Sequence, residues 1–237
     1  SGALSWGLIY YYAWERDATP YITGRFTDTG GDHLIITPSH ERIHHFGVTS
    51  DYAWVATGVP FVGNLPMVFR AEALYTKDAH FVDYTKQAAI RAGGDGDGIS
   101  EHDTLRAALA FEFAFPSKVT VIFQPSFYYT ADWHEGLGVG FGGAIGDEWN
   151  FAPVVFISRP VQSTRDRLML SATLTPYFSG PNRDYQGGKA RLVASYEFSP
   201  FLSGSFIYTG YSDGDDDDLF GQYRQYDNVG VELQYEF

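Results

Sequence analysis

The end of the chain constrains its fold more than any other stretch. From Asn228 to Phe237, Val229, Val231, Leu233, Tyr235 and Phe237 alternate with Asn228, Gly230, Glu232, Gln234 and Glu236. Successive strand side chains point to opposite faces, so a period of two predicts a strand with one apolar and one polar face. The pattern recurs. Over Thr104–Phe115 the apolar set is Leu105, Ala107, Leu109, Phe111, Phe113 and Phe115, against Thr104, Arg106 and Glu112. Val119–Tyr129 sets Val119, Val121, Phe123, Phe127 and Tyr129 against Thr120, Gln124, Ser126 and Tyr128. Arg167–Phe178, Lys189–Phe198 and Leu202–Tyr211 repeat it, and Ala3–Trp14, His44–Ala56, Pro66–Thr76 and Trp149–Ser158 repeat it less regularly.

About ten strands result, most of them roughly 9–12 residues long, the length that crosses a bilayer at a tilt. Strands of soluble sandwiches are nearer about 5–6 residues. Connections alternate too. Pro116–Lys118 and Ser199–Phe201 are tight turns and Gly58–Pro66 and Ser158–Asp166 are short. Glu15–His40, Lys77–Asp103, Thr130–Glu148, Ser179–Gly188 and Ser212–Tyr226 are long and polar. Short and long connections in turn are the meander of a transmembrane antiparallel up-and-down β-barrel, with short periplasmic turns and long extracellular loops. A soluble β-sandwich or lipocalin-like barrel also alternates, its apolar face forming the core. The aromatic clusters at strand ends, such as Tyr10–Tyr12 with Trp14 and Tyr128–Tyr129 with Trp133, fit interfacial girdles better than a core.

Composition narrows the function. With 16 Lys+Arg against 29 Asp+Glu the net charge is −13, a poor match for a nucleic-acid backbone. There is no Cys, which removes disulfides, thiol catalysis and Cys-zinc sites. The mean hydropathy is −0.20, and no stretch approaches the roughly 18 apolar residues of a membrane helix. A barrel needs no such stretch.

The ending Val-Glu-Leu-Gln-Tyr-Glu-Phe resembles the final strand of Gram-negative outer-membrane proteins, in which a terminal aromatic belongs to the signal read by the barrel-assembly machinery. The resemblance implies that role for Tyr235 and Phe237. It also implies a bacterial outer-membrane address, with bilayer lipid and lipopolysaccharide as surroundings. Pro66–Thr76, running into a long loop, and Asp97–Arg106, opening the next strand, look like the C-terminal part of a large family of porin-like barrels. Some of its members serve export of lipids or hydrophobic compounds. On that likeness, residues 1–237 are one barrel domain or the C-terminal portion of a wider one.

The polar faces supply the candidate site. Arg70, Arg106, Arg167, Lys189 and Arg191, with Glu72, Glu112, Glu197, Glu232, Glu236 and Gln124, would line a lumen and orient polar solutes in a transverse field. The plainer use of the same residues is a plug in which opposite charges neutralise one another. Asp213, Asp215, Asp216, Asp217 and Asp218 concentrate hard oxygen ligands suited to Ca²⁺, though a solvated loop tip is the commoner use of such a run. Asp95–Gly98 is no EF-hand, because Gly93 and Thr104 stand where acids are required.

Enzymatic motifs are thin. Asp95-x-Asp97 with Asp78-x-His80 superficially resembles the residue pairs of omptin-type barrel proteases, and Ser100 with His102 those of the lipid A deacylase type. All of them fall in predicted loops, which hold acid–base geometry poorly. Gly136-x-Gly138-x-Gly140 has no following helix and is no nucleotide loop. Tyr84–Ala92 has helical composition, closed by Gly93-Gly94, and would fold inward or lie over the rim. The chain is thus expected to be a channel of porin-like character for small polar or amphipathic solutes, not an enzyme. The alternative is a plugged, adhesin-like barrel acting through its acidic loops.

Overall fold

A computed structural model describes residues 3–15, 18–139, 143–144, 147–180, 182, 184–212, 223 and 225–236. The strands are β1 (Ala3–Trp14), β2 (Thr19–Asp28), β3 (Gly31–Ser39), β4 (Arg42–Val59), β5 (Gly63–Asp83), β6 (Ile99–Ala114), β7 (Thr120–Gln124) and β8 (Ser126–Thr130). They continue with β9 (Leu137–Val139), β10 (Gly143–Ala144), β11 (Trp149–Phe151), β12 (Val154–Val161), β13 (Leu168–Ser179), β14 (Asp184–Ser199), β15 (Leu202–Ser212) and β16 (Asn228–Tyr235). The α-helix α1 (Tyr84–Arg91) joins β5 to β6.

One antiparallel sheet runs in the order β1-β4-β5-β6-β7-β12-β13-β14-β15-β16. Two of its positions are interrupted by proline. Pro125 separates β7 from β8 and Pro153 separates β11 from β12, because proline has no N–H to give to a ladder. Pairing nevertheless continues: the Pro125 carbonyl accepts from the Leu109 amide at 3.0 Å, and β8 stays on β6 while β11 stays on β13. The sheet therefore has ten positions along its path. Among the described residues, β1 pairs only with β4 and β16 only with β15, so one edge of each is open.

Residues directly opposite across a ladder share a face. One row runs Leu8, Val48, Ala73, Ala107, Phe127, Phe151, Phe178. Another runs Val121, Ile157, Ala172, Leu192, Tyr208, Val229, on the same face. Among the described residues nothing packs on this face: Leu192 is 48% exposed, Phe206 53% and Val231 83%. The opposite face runs through His45, Thr76, Thr104 and Thr130 in one row, and Thr173, Arg191, Thr209 and Asn228 in another. The sheet is a single layer.

The apolar core lies at one end instead. Ile22, Phe81, Val82, Ile90, Ile99 and Leu137 are buried where α1, the β2–β3 hairpin, β9 and the upper ends of β5 and β6 meet. Ile22 N donates to the Asp97 carbonyl at 2.8 Å, and Arg25 reaches the Ile90 carbonyl at the C-terminus of α1 at 3.3 Å. A cation there satisfies an orphan carbonyl and complements the helix dipole. Gly98, at φ 76°, passes so close that an added Cβ would lie 2.8 Å from Ile22 Cδ1.

Several connections expected to be loops are thus ordered. Glu15–His40 contains the β2–β3 hairpin, which hydroxyls help to hold: Thr23 bonds Thr37 at 2.8 Å and Thr27 bonds Asp32 at 2.6 Å. Lys77–Asp103 contains α1 and extensions of β5 and β6, and Thr130–Glu148 contains β9 and β10.

Candidate functional site

The ladder register brings the polar-face residues onto one surface. Arg70 faces Asp51 across β4 and Ala110 across β6; its Nε stands 3.4 Å from Asp51 and its Nη1 3.0 Å from Glu112. Glu72, Arg106, Gln124, Lys189, Arg191, Glu197 and Glu232 lie on the same face. Arg167 and Glu236 flank β13 and β16 and continue their alternation. Among the described residues, Arg70 is the arginine of this surface held in an ion pair. Arg106, Arg167 and Arg191 are solvent-exposed, as are Glu72, Glu197 and Glu232. Lys189 Nζ sits 6.0 Å from the Tyr211 ring centroid. Among the described residues, ion pairing on this surface is confined to the cluster of Asp51, Arg70 and Glu112.

At the α1 end this surface deepens into a cavity of about 420 Å³. Its floor is Tyr11, His45, Thr76, Thr104 and Arg106, and it is covered by Glu15, Ala18–Pro20 and His80. Tyr11 stacks on His45, ring centroids 4.3 Å apart, and His45 Nδ1 bonds the Thr76 hydroxyl at 2.9 Å. Glu15 is held from three directions. Its Oε1 accepts from the His80 amide at 3.1 Å, its Oε2 accepts from the Thr19 hydroxyl at 2.9 Å, and His80 Nδ1 lies 3.3 Å from Oε1. That last approach is off the hydrogen-bond line, so it acts as an ion pair. Burial opposes ionisation of Glu15, but these donors hold its carboxyl below the usual range, while the Glu15 carboxylate lifts His80 against its own desolvation.

Beside the cavity lies Asp83, a buried carboxylate. It caps α1 by accepting from the Thr85 and Lys86 amides at 3.0 Å each, which satisfies orphan donors of the first turn. Its Oδ2 also accepts from Ser100 Oγ at 2.7 Å and contacts His134 Nε2 at 3.1 Å. Burial works against its charge, yet the Lys86 amide, Ser100 and His134 keep it below the ordinary carboxylate range.

Other motif residues are dispersed. Ser100 bonds Asp83, whereas His102 bonds the Ala131 carbonyl at 2.9 Å, so the two are not joined to each other. His80 pairs with Glu15, not Asp78, which sits at a bulge with φ 54°. Asp97 Oδ1 accepts from the Ile99 amide at 3.0 Å and closes a turn. His44 and His45 take opposite faces, His44 bonding Tyr10 at 3.0 Å. Among the described residues no group of three or more His, Asp or Glu is placed to hold a metal. Asp213 and Asp215–Asp218 lie outside the described residues, as does Phe237; Tyr235 ends β16 opposite Leu202.

Arg106 was visible in the sequence as a polar-face charge. Glu15 and Thr19 were not, because they reach the site from segments without alternation, and His80 was visible only as half of the Asp78-x-His80 pair, with a different partner. Asp83 had one signal, an acid immediately before a helical run. No protein-family model, no curated protein and no solved structure matches this chain.

Proposed function

We propose that the sheet is the wall of an outer-membrane β-barrel channel and that small polar or amphipathic solutes pass along its charged face. One observation carries this: a single-layered sheet with one uncovered apolar face and one exposed, charged face. In water the apolar face would demand a second layer. In a bilayer, lipid tails cover it and the polar face looks into the lumen. The strands support the reading by length, since β4, β5, β6 and β14 run 18, 21, 16 and 16 residues, more than the ~9–11 a tilted crossing needs. Their surplus stands above the membrane: β5 beyond Thr76, and β6 before Thr104, with α1 between them.

Backbone groups in hydrocarbon must be paired, so the open edges of β1 and β16 are closed in the membrane by strand pairing. The sparsely paired charges of the polar face favour a hydrated lumen over a plug. The terminal strand is read by the assembly machinery. The test is reconstitution. Purified chain folded into vesicles should float with them and give solute flux and single-channel current. A chain that stays monodisperse in buffer without detergent, with its phenylalanines protected, overturns the proposal.

A further inference from the structure

We propose that the cavity under the hairpin is a binding site for a small organic monocarboxylate with a flat apolar body, its carboxylate on Arg106 and its body against Tyr11 and Leu74. The inference rests on the channel reading only for its biology; the site itself stands on its own geometry.

Charge comes first. The acid of the cavity, Glu15, is consumed by His80 and Thr19, whereas Arg106 has no ion-pair partner among the described residues. A guanidinium offers a planar fork of donors matched to a carboxylate. Hydroxyls of Thr76 and Thr104 line the same floor and add polar contacts at the charged end. Shape comes second. Tyr11 and Phe81 present aromatic surface, Ile43 and Leu74 aliphatic surface, and about 420 Å³ lies in the lower part of the range of ligand pockets, roughly 300–1,000 Å³. A single aromatic ring with its carboxylate fits such a space.

The rim sets the number of charges. Tyr21, whose ring centroid is 6.4 Å from that of His80, is surrounded by the carboxylates of Glu41, Glu15, Asp97 and Glu101. Burial together with these carboxylates pushes its phenol up to about 12. An acidic rim over one free arginine tolerates a monoanion and repels a dianion.

Benzoate, benzamide and phthalate, titrated calorimetrically into the full chain folded in detergent, separate these elements. Benzoate should bind saturably, at least tenfold more tightly than benzamide, which lacks the charge, and than phthalate, which carries two. Arg106→Gln should weaken benzoate at least tenfold, Arg106→Lys should restore part of the loss, and Lys118→Gln, in the Phe115–Val119 turn, should change nothing. Matching circular dichroism shows that each variant is folded. Equal binding of benzoate and benzamide, or an Arg106→Gln variant that binds benzoate as well as the parent, overturns the site. Neither result touches the channel proposal, which falls on vesicle insertion and flux alone.

Discussion

At the scale of single residues, the half-buried Glu15 and the buried Asp83 do different work. Asp83 organises a helix start, and its loss would be felt in α1. Glu15 ties the chain just after β1 to His80 at the top of β5, and this link is pH-sensitive in a defined direction. His80 is raised above its ordinary 6.5, so its contribution is complete below that value and is lost as pH rises through the folded value. Glu15 is lowered from 4.5, so its contribution is complete above 4.5 and is lost as pH falls through the folded value. The link is therefore firmest between 4.5 and 6.5. A pH titration of the His80 imidazole followed by NMR should show an elevated midpoint, and Glu15→Gln should lower it. An unchanged midpoint in that variant would mean that something other than Glu15 holds the proton.

At the scale of elements, the alternating strands were legible because successive side chains fall on opposite faces, and here one face is apolar and the other polar. Arg106, Arg191 and Glu232 reach the polar face by that rule alone. The rule fails where packing is local. β2 and β3 carry Thr, Arg and Asp on a hairpin held by hydroxyl bonds, so the segment looks like a loop; its signal was the Asp28–Asp32 turn with two glycines. Pro125 and Pro153 break strands by label but not by position. The two-face rule makes a paired prediction at neighbouring residues of β14. Leu192→Arg puts a charge on the apolar face and should cost about 2–4 kcal/mol of folding stability in vesicles, the usual penalty for a lipid-facing cation at the midplane. Val193→Arg, on the polar face, should cost much less. Urea unfolding of both in the same vesicles checks it; equal penalties would mean that both faces see the same solvent.

At the scale of the whole molecule, the open edges decide what the sheet is. An edge strand presents a row of unsatisfied N–H and C=O groups, and natural sheets blunt such rows with charges, proline or bulges. β1 does none of this: Leu4, Trp6 and Leu8 are 65%, 70% and 74% exposed and the strand holds no charge over its 12 residues. β16 carries one charge, Glu232, and leaves Val231 83% and Leu233 71% exposed. Water would make these edges sites of aggregation, whereas in hydrocarbon each unpaired backbone group costs several kcal/mol. The arithmetic of direction permits closure, since ten antiparallel positions leave the first and last strands antiparallel to one another. Hydrogen exchange locates the answer without presupposing the partner. In vesicles the amides of β1 and β16 should exchange as slowly as those of the interior pair β13 and β14. Fast exchange confined to β1 and β16 in a well-inserted sample would leave an unclosed sheet in the bilayer, which backbone energetics forbids, and the channel wall would have to be abandoned.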